Sequence, residues 1–213
     1  EISECLVGSE MCIRDSYNAS GFEATDVVSI EIETPRFPKE VTVYNEQGQK
    51  VNSQLVSYTD GNVRLLVEAT VPAMGYVVYD VRFSGNGKRV ATAEATSIEN
   101  SLYKLRLNEN GDIISLFDKK NSKELVKAGK AIRLALFTEN ESFSWPAWEV
   151  LKKTVDSAPV SITSNVKVTL CENGKLRKTL CVEKSHGNSF FRQYIHLYEG
   201  CLLYTSPSPR DTR

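Results

Sequence analysis

Apolar and polar residues alternate along most of the chain, which is the period of a half-buried β-strand. The alternation is strict over Tyr103–Leu107 and partial over 27–32. We find no extended stretch with a helical period, so the pattern predicts strands and turns throughout. The predicted strands cover 27–32, 41–44, 54–58, 63–71, 75–83, 103–107, 112–117, 131–137, 166–171, 175–182 and 190–197.

Turn signals divide these strands into two groups. A glycine that follows Asn or Asp supplies the positive φ angle of a tight hairpin, and such pairs occur at 60–61, 110–111 and 173–174. A glycine-containing stretch then interrupts the pattern and predicts a linker over 84–96. The sequence therefore predicts an all-β fold with two antiparallel β-sandwich-like pieces, a small domain at 17–83 and a second one at 97–200.

The two ends of the chain carry one foreign signature. Cys201–Asp211 is the translation of a transposase-type sequencing-library adapter, and Cys5–Asp15 is the translation of its reverse complement without a mismatch. Two natural tails would hardly produce the same oligonucleotide in both orientations. Foreign segments are removed before fold reasoning. We therefore expect 1–16 and 201–213 to be adapter artefact and the natural part, Tyr17 to Gly200, to be a fragment.

The charge balance argues against two classes of partner. The chain has 26 Lys and Arg against 27 Asp and Glu, which gives a formal net charge of -1. Because there is no basic block, we expect neither nucleic acid nor membrane as a partner. The longest apolar runs, such as 132–137, are far too short to span a bilayer.

Two features depend on the cellular compartment. Of the five cysteines, Cys171 and Cys181 lie outside the foreign ends, on the two strands of one predicted hairpin. They could form a disulfide in an exported protein or stay reduced in the cytosol, and the sequence leaves both possibilities open. Asn18 and Asn140 begin glycosylation sequons, which matter only if the protein enters a secretory pathway.

Catalytic signatures are missing from the pattern. His186, in a predicted turn, and His196, on the last predicted strand, have no partner at metal-ligand spacing. We find no serine in a Gly-x-Ser-x-Gly elbow and no glycine-rich phosphate loop. Asp112 and Asp118 lie at the two ends of one strand and are interpreted as turn residues. We therefore expect no catalytic residue, no metal site and no cofactor in this segment.

One segment carries candidate binding residues. Both tryptophans of the chain, Trp145 and Trp148, lie three positions apart around a proline, and Glu149 follows them. Indole rings stack on the apolar faces of sugars, and a neighbouring carboxylate accepts hydrogen bonds from sugar hydroxyls. The same tryptophans could instead fill the end of a sandwich core, and the sequence leaves both interpretations open.

With these residues in place, the segment resembles the C-terminal β-domains of glycoside hydrolase family 38, the α-mannosidases. Residues 110–120 are similar to the family's Asn-Gly-x-Ile-x-Ser-Leu-x-Asp-Lys opening of its large β-domain, and 145–149 to its Asp-Ala-Trp-Asp segment. Phe22 and Ala24 stand where the family usually has Trp and Arg. Further similar stretches, in the family's order, are 18–28, 53–55, 71–76, 99–103, 133–137, 189–194 and 197–198.

The resemblance implies a place for the tryptophan segment. The family's aromatic-Ala-Trp segment is expected near the substrate cleft, so Trp145, Trp148 and Glu149 become candidates that line this cleft. Pro146 and Glu149 replace the two Asp of the family's segment. The resemblance also implies that 97–200 is the truncated start of a large β-sandwich domain.

The function that the resemblance implies is that of a non-catalytic C-terminal part of a retaining α-mannosidase, an enzyme that hydrolyses terminal α-D-mannosyl residues. The family's nucleophile, acid/base carboxylate and zinc lie in an N-terminal barrel, so zinc is expected in a missing catalytic domain. Expected partners are that domain and a mannose-containing oligosaccharide. The fragment should be inactive alone. A cytoplasmic location is expected from the low cysteine count and from similarity to bacterial-type members.

Two other functions remain open at this point. A free-standing carbohydrate-binding β-sandwich module would use Trp145 and Trp148 as its platform, and a cell-surface sandwich repeat would have an adhesive or structural role. Upstream sequence separates the three, because an α/β pattern with a zinc-type His/Asp cluster would support the enzyme.

Overall fold

The computed structural model describes residues 11–87, 93–137, 140–145 and 148–200. The chain divides into two compact units, which are described separately below. Unit 1 comprises 1–92 together with 172–178, and unit 2 comprises 93–171 together with 179–213. The described residues are nearly all in strands and turns, with a single five-residue helix. The prediction of an all-β fold is therefore confirmed.

Unit 1 is built from two antiparallel sheets around one core. One sheet has the strand order β1-β7-β3-β4 and the other β2-β6-β5. Val43, Tyr79 and Val81 from the first sheet pack in one buried cluster with residues such as Leu65 and Val67 from the second. The strands are β1 (Met11–Tyr17), β2 (Ala24–Glu33), β3 (Pro38–Tyr44), β4 (Lys50–Val51), β5 (Ser53–Thr59), β6 (Asn62–Val71) and β7 (Tyr76–Asn86).

The hairpin between β5 and β6 shows how the sequence sets the register in unit 1. Asp60 and Gly61 both have positive φ angles, 52° and 80°, as the turn dipeptide predicts. β6 then pairs with β2 over ten consecutive positions, from Ala24 opposite Val71 to Glu33 opposite Asn62. On the sandwich face of this ladder the residues of β6 are apolar and buried, namely Val63, Leu65, Val67, Ala69 and Val71, while the exposed Asp26 of β2 lies opposite Ala69.

Unit 2 has a second sandwich core. Tyr103 and Leu105 from one sheet and Leu180, Val182 and Leu197 from another belong to the same buried cluster. The sheet orders are β11-β10-β9-β8, β12-β13 and β14-β15-β16. Apart from the ends of β14 and β15 that fall within 172–178, this unit contains β8 (Ser97–Glu99), β9 (Tyr103–Leu107), β10 (Ile113–Asp118), β11 (Lys123–Glu124), β12 (Ala135–Leu136), α1 (Lys152–Asp156), β13 (Val160–Ser161), β14 (Ser164–Asn173), β15 (Arg177–His186) and β16 (Ser189–Tyr198).

Some elements differ from the sequence-based expectation. The strand predicted over 131–137 is realised as the two-residue β12 and a single bridge between Ile113 and Ile132. β7 continues through Asn86, so the first residues of the predicted linker belong to a strand. The helix α1 was not predicted, because five residues are too few to show a helical period. The domain limits at 83, 97 and 200 stay a prediction.

The N-terminal segment forms the edge strand β1. Its seven residues pair with β7, from Met11 opposite Arg82 to Tyr17 opposite Tyr76. The ladder is made by backbone N–H and C=O groups, which every non-proline residue carries, so an extended segment of foreign sequence could occupy this edge. The prediction that 1–16 is adapter-encoded stays a prediction.

Candidate functional site

The tryptophan loop, defined here as residues 140–151 of unit 2, is closed at its base by Asn140. The side-chain amide of Asn140 donates to the carbonyl oxygen of Glu149 at 2.6 Å. Its oxygen accepts from the backbone N–H of Leu151 at 3.3 Å and from Oγ1 of Thr154 at 3.1 Å. Because Thr154 is buried in the middle of α1, one asparagine ties both ends of the loop to the body of the unit.

A tight turn within the loop fixes Glu149. The carbonyl oxygen of Trp145 accepts from the backbone N–H groups of Trp148 at 2.9 Å and of Glu149 at 2.8 Å. Oγ of Ser142 donates to Oε2 of Glu149 at 2.7 Å, and Trp145 N–H approaches the same hydroxyl at 3.3 Å. The carboxylate is therefore held beside the turn that carries both indoles.

The aromatic side chains of the tryptophan loop point away from the core. Trp145 is 67% exposed, Trp148 89% and Phe143 102%, and none of them belongs to either buried cluster. In this chain the tryptophans do not fill the end of a sandwich. Exposed apolar groups of this size, rimmed by polar residues, mark interaction surfaces. Pro146, which was singled out in the sequence, lies outside the described residues.

The chemistry that the loop offers is binding. The indole faces can stack on a ring, and the Glu149 carboxylate can accept a hydroxyl proton. The nearby pair of Glu141 and Lys153, at 2.8 Å, is exposed, and the hydrogen bond from Lys153 lowers the pKa of Glu141. A carboxyl group with a lowered pKa stays ionised near neutral pH, so Glu141 is no general acid there.

Metal ligands are not gathered in the described ranges, where no group of three or more His, Cys, Asp or Glu could hold an ion. His186 ends β15, and Nδ1 of His196 lies 2.8 Å from Oγ1 of Thr179. Of the two cysteines singled out in the sequence, which are free thiols, Cys171 is exposed and Cys181 is buried. Burial, followed by the neighbouring Cys171, raises the pKa of Cys181 to about 11.

Both sequon asparagines have their amides engaged. The Asn18 side-chain nitrogen donates to the carbonyl oxygens of Phe22, Val71 and Pro72 at 2.8 to 3.1 Å. Asn140 holds the base of the tryptophan loop, as described above. A glycan would replace one of the two N–H hydrogens that each amide donates; in the folded chain both side chains brace a loop.

A pocket of about 440 Å³ lies in unit 1, between the turn after β3 and the middle of β7. Its charged groups largely pair with one another: Arg82 binds Asp80 at 2.6 Å and lies 4.7 Å from the ring centroid of Tyr44. Glu46 accepts from the backbone N–H of Val78 at 3.1 Å. None of the residues predicted as site candidates lines this pocket.

A buried ion pair in unit 2 was missed from the sequence. Asp112 was interpreted as a turn residue, and its N–H does bind Oδ1 of Asn108 at 2.9 Å. Its carboxylate, however, lies 2.6 Å from Nζ of Lys184, and both side chains are at most 5% exposed. Asp118 acts as a turn residue as predicted, and the hydrogen bonds from Asn121 lower its pKa. The sequence did not identify Lys184 as buried, because a lysine in an alternating strand is expected on the exposed face.

No helix among the described elements is long and apolar enough to cross a membrane.

Comparison with known proteins gives the family. The profile of the Glycosyl hydrolases family 38 C-terminal domain matches residues 98–204. Alpha-mannosidase G of Dictyostelium discoideum is 28% identical over 202 residues, which cover 87% of this chain and 17% of that protein. The chain thus spans about a sixth of the length of this relative. With the profile matching half of its length, the chain belongs to glycoside hydrolase family 38 and contains the C-terminal domain of that family.

Proposed function

We propose that the chain is a non-catalytic part of a retaining α-mannosidase that hydrolyses terminal α-D-mannosyl residues. Family membership and the name of the Dictyostelium relative support this proposal. The fold of the described part agrees with a C-terminal β-domain, since it is built almost entirely of antiparallel strands. Zinc, the nucleophile and the acid/base carboxylate would belong to a separate catalytic domain, which is also the proposed partner of this chain.

The observation that carries the role of this chain is the braced, exposed tryptophan loop. Trp145 and Trp148 would cover the apolar face of a mannosyl unit, while Glu149 would accept one of its hydroxyl protons. Because Asn140 and Ser142 already hold the loop by side-chain hydrogen bonds, little ordering entropy would be lost on binding. The loop would thereby orient a mannose-containing oligosaccharide at the cleft without taking part in bond cleavage.

We also propose that the two ends are adapter-encoded and that the natural protein works in the cytoplasm. The first proposal rests on the sequence of the two ends, which translate one oligonucleotide in its two orientations. The family profile, however, extends to residue 204, four residues into the C-terminal end. The second proposal rests on the low cysteine count outside the two ends, where the chain has only Cys171 and Cys181.

The role of the tryptophan loop is tested by Trp148→Ala in the full-length parent enzyme. Because Trp148 is 89% exposed, its truncation should leave the melting temperature nearly unchanged. The kcat/KM for an oligomannoside should fall about tenfold or more, the effect of losing ~1.4 kcal/mol in the transition state. Phe22→Ala, at a 69% exposed aromatic of unit 1, is the matched control and should leave kcat/KM unchanged.

Two outcomes would contradict the role of the loop. A large loss of melting temperature with unchanged turnover per folded molecule would make Trp148 a structural residue. Zinc-dependent hydrolysis of an aryl α-mannoside by the purified 213-residue chain would show that the chain is catalytic by itself. If the isolated chain binds mannosides and no parent enzyme exists, the alternative of a free-standing carbohydrate-binding module is the better account, and it would use the same two tryptophans.

A further inference from the structure

The tryptophan loop has a net negative charge, and this charge is located at Glu149. Residues 140–151 include Glu141 and Glu149 and contain no lysine or arginine. The charge of Glu141 is balanced from outside the loop, because Nζ of Lys153 lies 2.8 Å from its carboxylate. Among the residues that the structure describes, no lysine or arginine forms an ion pair with Glu149. The carboxylate beside the two indoles therefore keeps its full charge.

Ser142 determines which oxygen of the Glu149 carboxylate can meet a ligand. The backbone N–H of Trp145 approaches Oγ of Ser142 at 3.3 Å, and the hydroxyl itself donates to Oε2 of Glu149 at 2.7 Å. The other oxygen, Oε1, has no hydrogen-bond partner in the described part of the chain, and the side chain of Glu149 is exposed. Oε1 is therefore the acceptor that the loop presents to a ligand.

An exposed, unpaired carboxylate selects ligands by charge. It accepts hydrogen bonds and donates none, so it binds a ligand hydroxyl and repels a ligand phosphate or carboxylate. A ligand that covers the indoles must pass this charge, because the N–H groups of Trp148 and Glu149 donate to the same carbonyl oxygen, that of Trp145. Between two exposed unit charges in contact, the repulsion in water changes an affinity about fivefold.

We propose that Glu149 is a specificity-determining residue, which admits neutral, hydroxyl-bearing glycans to the tryptophan loop and excludes phosphorylated ones. Ser142 is its positioning residue, since it holds Oε2 and leaves Oε1 to the ligand. The choice of a glycan rests on the proposed function, whereas the selection by charge rests on the contacts of the loop itself.

Steady-state kinetics of the full-length parent enzyme with two matched substrates test the proposal. The substrates are a linear mannotriose and the same mannotriose with a 6-phosphate on a residue that is not cleaved, and the measured quantity is the ratio of their kcat/KM values. Glu149→Gln keeps the shape of the side chain and removes its charge, so it should reduce the preference for the neutral substrate about fivefold. High salt should reduce the preference of the unmodified enzyme too, because it screens exposed charges.

A second charge variant should act in the opposite direction. Lys153→Gln leaves the charge of Glu141 without its partner, so the preference for the neutral substrate should increase. Glu23→Gln makes the same chemical change as Glu149→Gln at an exposed glutamate of unit 1 and is the matched control, which should leave the ratio unchanged.

The role of Ser142 has a test of its own. Ser142→Ala should raise the KM for the neutral mannotriose about threefold and leave kcat unchanged, because the loop orients the substrate and takes no part in bond cleavage. Ser142→Thr keeps the hydroxyl and should restore the KM. A loss of kcat in proportion to folded protein, with no rescue by Ser142→Thr, would make Ser142 a merely structural residue.

The outcomes separate this inference from the proposed function. If Trp148→Ala lowers kcat/KM and Glu149→Gln leaves the ratio unchanged, the selection by charge is overturned and the role of the loop stands. A lower preference in Lys153→Gln, or a parent enzyme that prefers the phosphorylated substrate, also overturns the selection. If neither Trp148→Ala nor Glu149→Gln changes the kcat/KM of either substrate, the proposed function of the loop fails and this inference fails with it.

Discussion

The ion pair between Asp112 and Lys184 gives the sharpest stability test of the structure. Their charged atoms are 2.6 Å apart, and the side chains are 5% and 1% exposed. Asp112→Asn keeps the shape of the side chain and removes its charge, so the ammonium group of Lys184 is left buried without a counter-charge. Breaking one partner of such a buried pair lowers the free energy of unfolding by about 3–5 kcal/mol.

Removing both charges should recover most of that loss. In the double variant Asp112→Asn/Lys184→Met neither charge remains, and buried pairs replaced by neutral groups of similar volume are often as stable as the original. Urea denaturation followed by circular dichroism measures both variants. For a unit of this size, each kcal/mol lost corresponds to ~4–8 °C, so Asp112→Asn should lower the melting temperature of unit 2 by at least about 10 °C.

An exposed pair in the same unit is the control. Glu141 and Lys153 are 2.8 Å apart, but their side chains are 63% and 79% exposed. Glu141→Gln should therefore change the free energy of unfolding by no more than about 1 kcal/mol. If Asp112→Asn is as harmless as Glu141→Gln, the argument from burial is wrong. If the double variant is as unstable as Asp112→Asn, the loss comes from packing and the argument from charge is wrong.

Two further predictions concern a turn and a thiol pair. Gly111 has a φ of 69°, and an added Cβ would clash with Val182, so Gly111→Ala should lower the free energy of unfolding by about 1–3 kcal/mol. Gly129 has a φ of 71° and open space around it, so Gly129→Ala should lower the free energy of unfolding by less than Gly111→Ala does. An equal loss for the two variants in urea denaturation would refute the clash. Cys171 should be alkylated well before Cys181 at about pH 8, because Cys181 is buried and its pKa is raised to about 11. Equal labelling in a peptide mass map would contradict that order.

Strand and turn chemistry could be predicted because both are local. Alternation over Tyr103–Leu107 gives a strand with alternate residues buried, and the dipeptide at 60–61 adopts the positive φ angles that it predicts. The prediction of one strand over 131–137 was wrong because an apolar run does not show which other strand it will pair with. Within this run, Ala135–Leu136 pairs with β13 and Ile132 makes a single bridge to Ile113.

The candidate site was predicted in part for the same reason. Trp145, Trp148 and Glu149 stood out by residue type, and the structure places them on one loop. The roles of Asn140 and Ser142 could not be predicted, because they depend on bonds across up to fourteen positions that only the folded loop brings together. Lys184 was missed because its partner Asp112 is 72 positions away in the sequence.

The central claim is that this chain is the back part of a family 38 α-mannosidase. The most direct test is to read the source DNA outward from the codons of Tyr17 and Gly200. We predict that the adapter codons disappear and that the true frame continues upstream into an α/β region with a His/Asp cluster of the zinc-binding type. A natural frame that begins close to Tyr17 would contradict the claim.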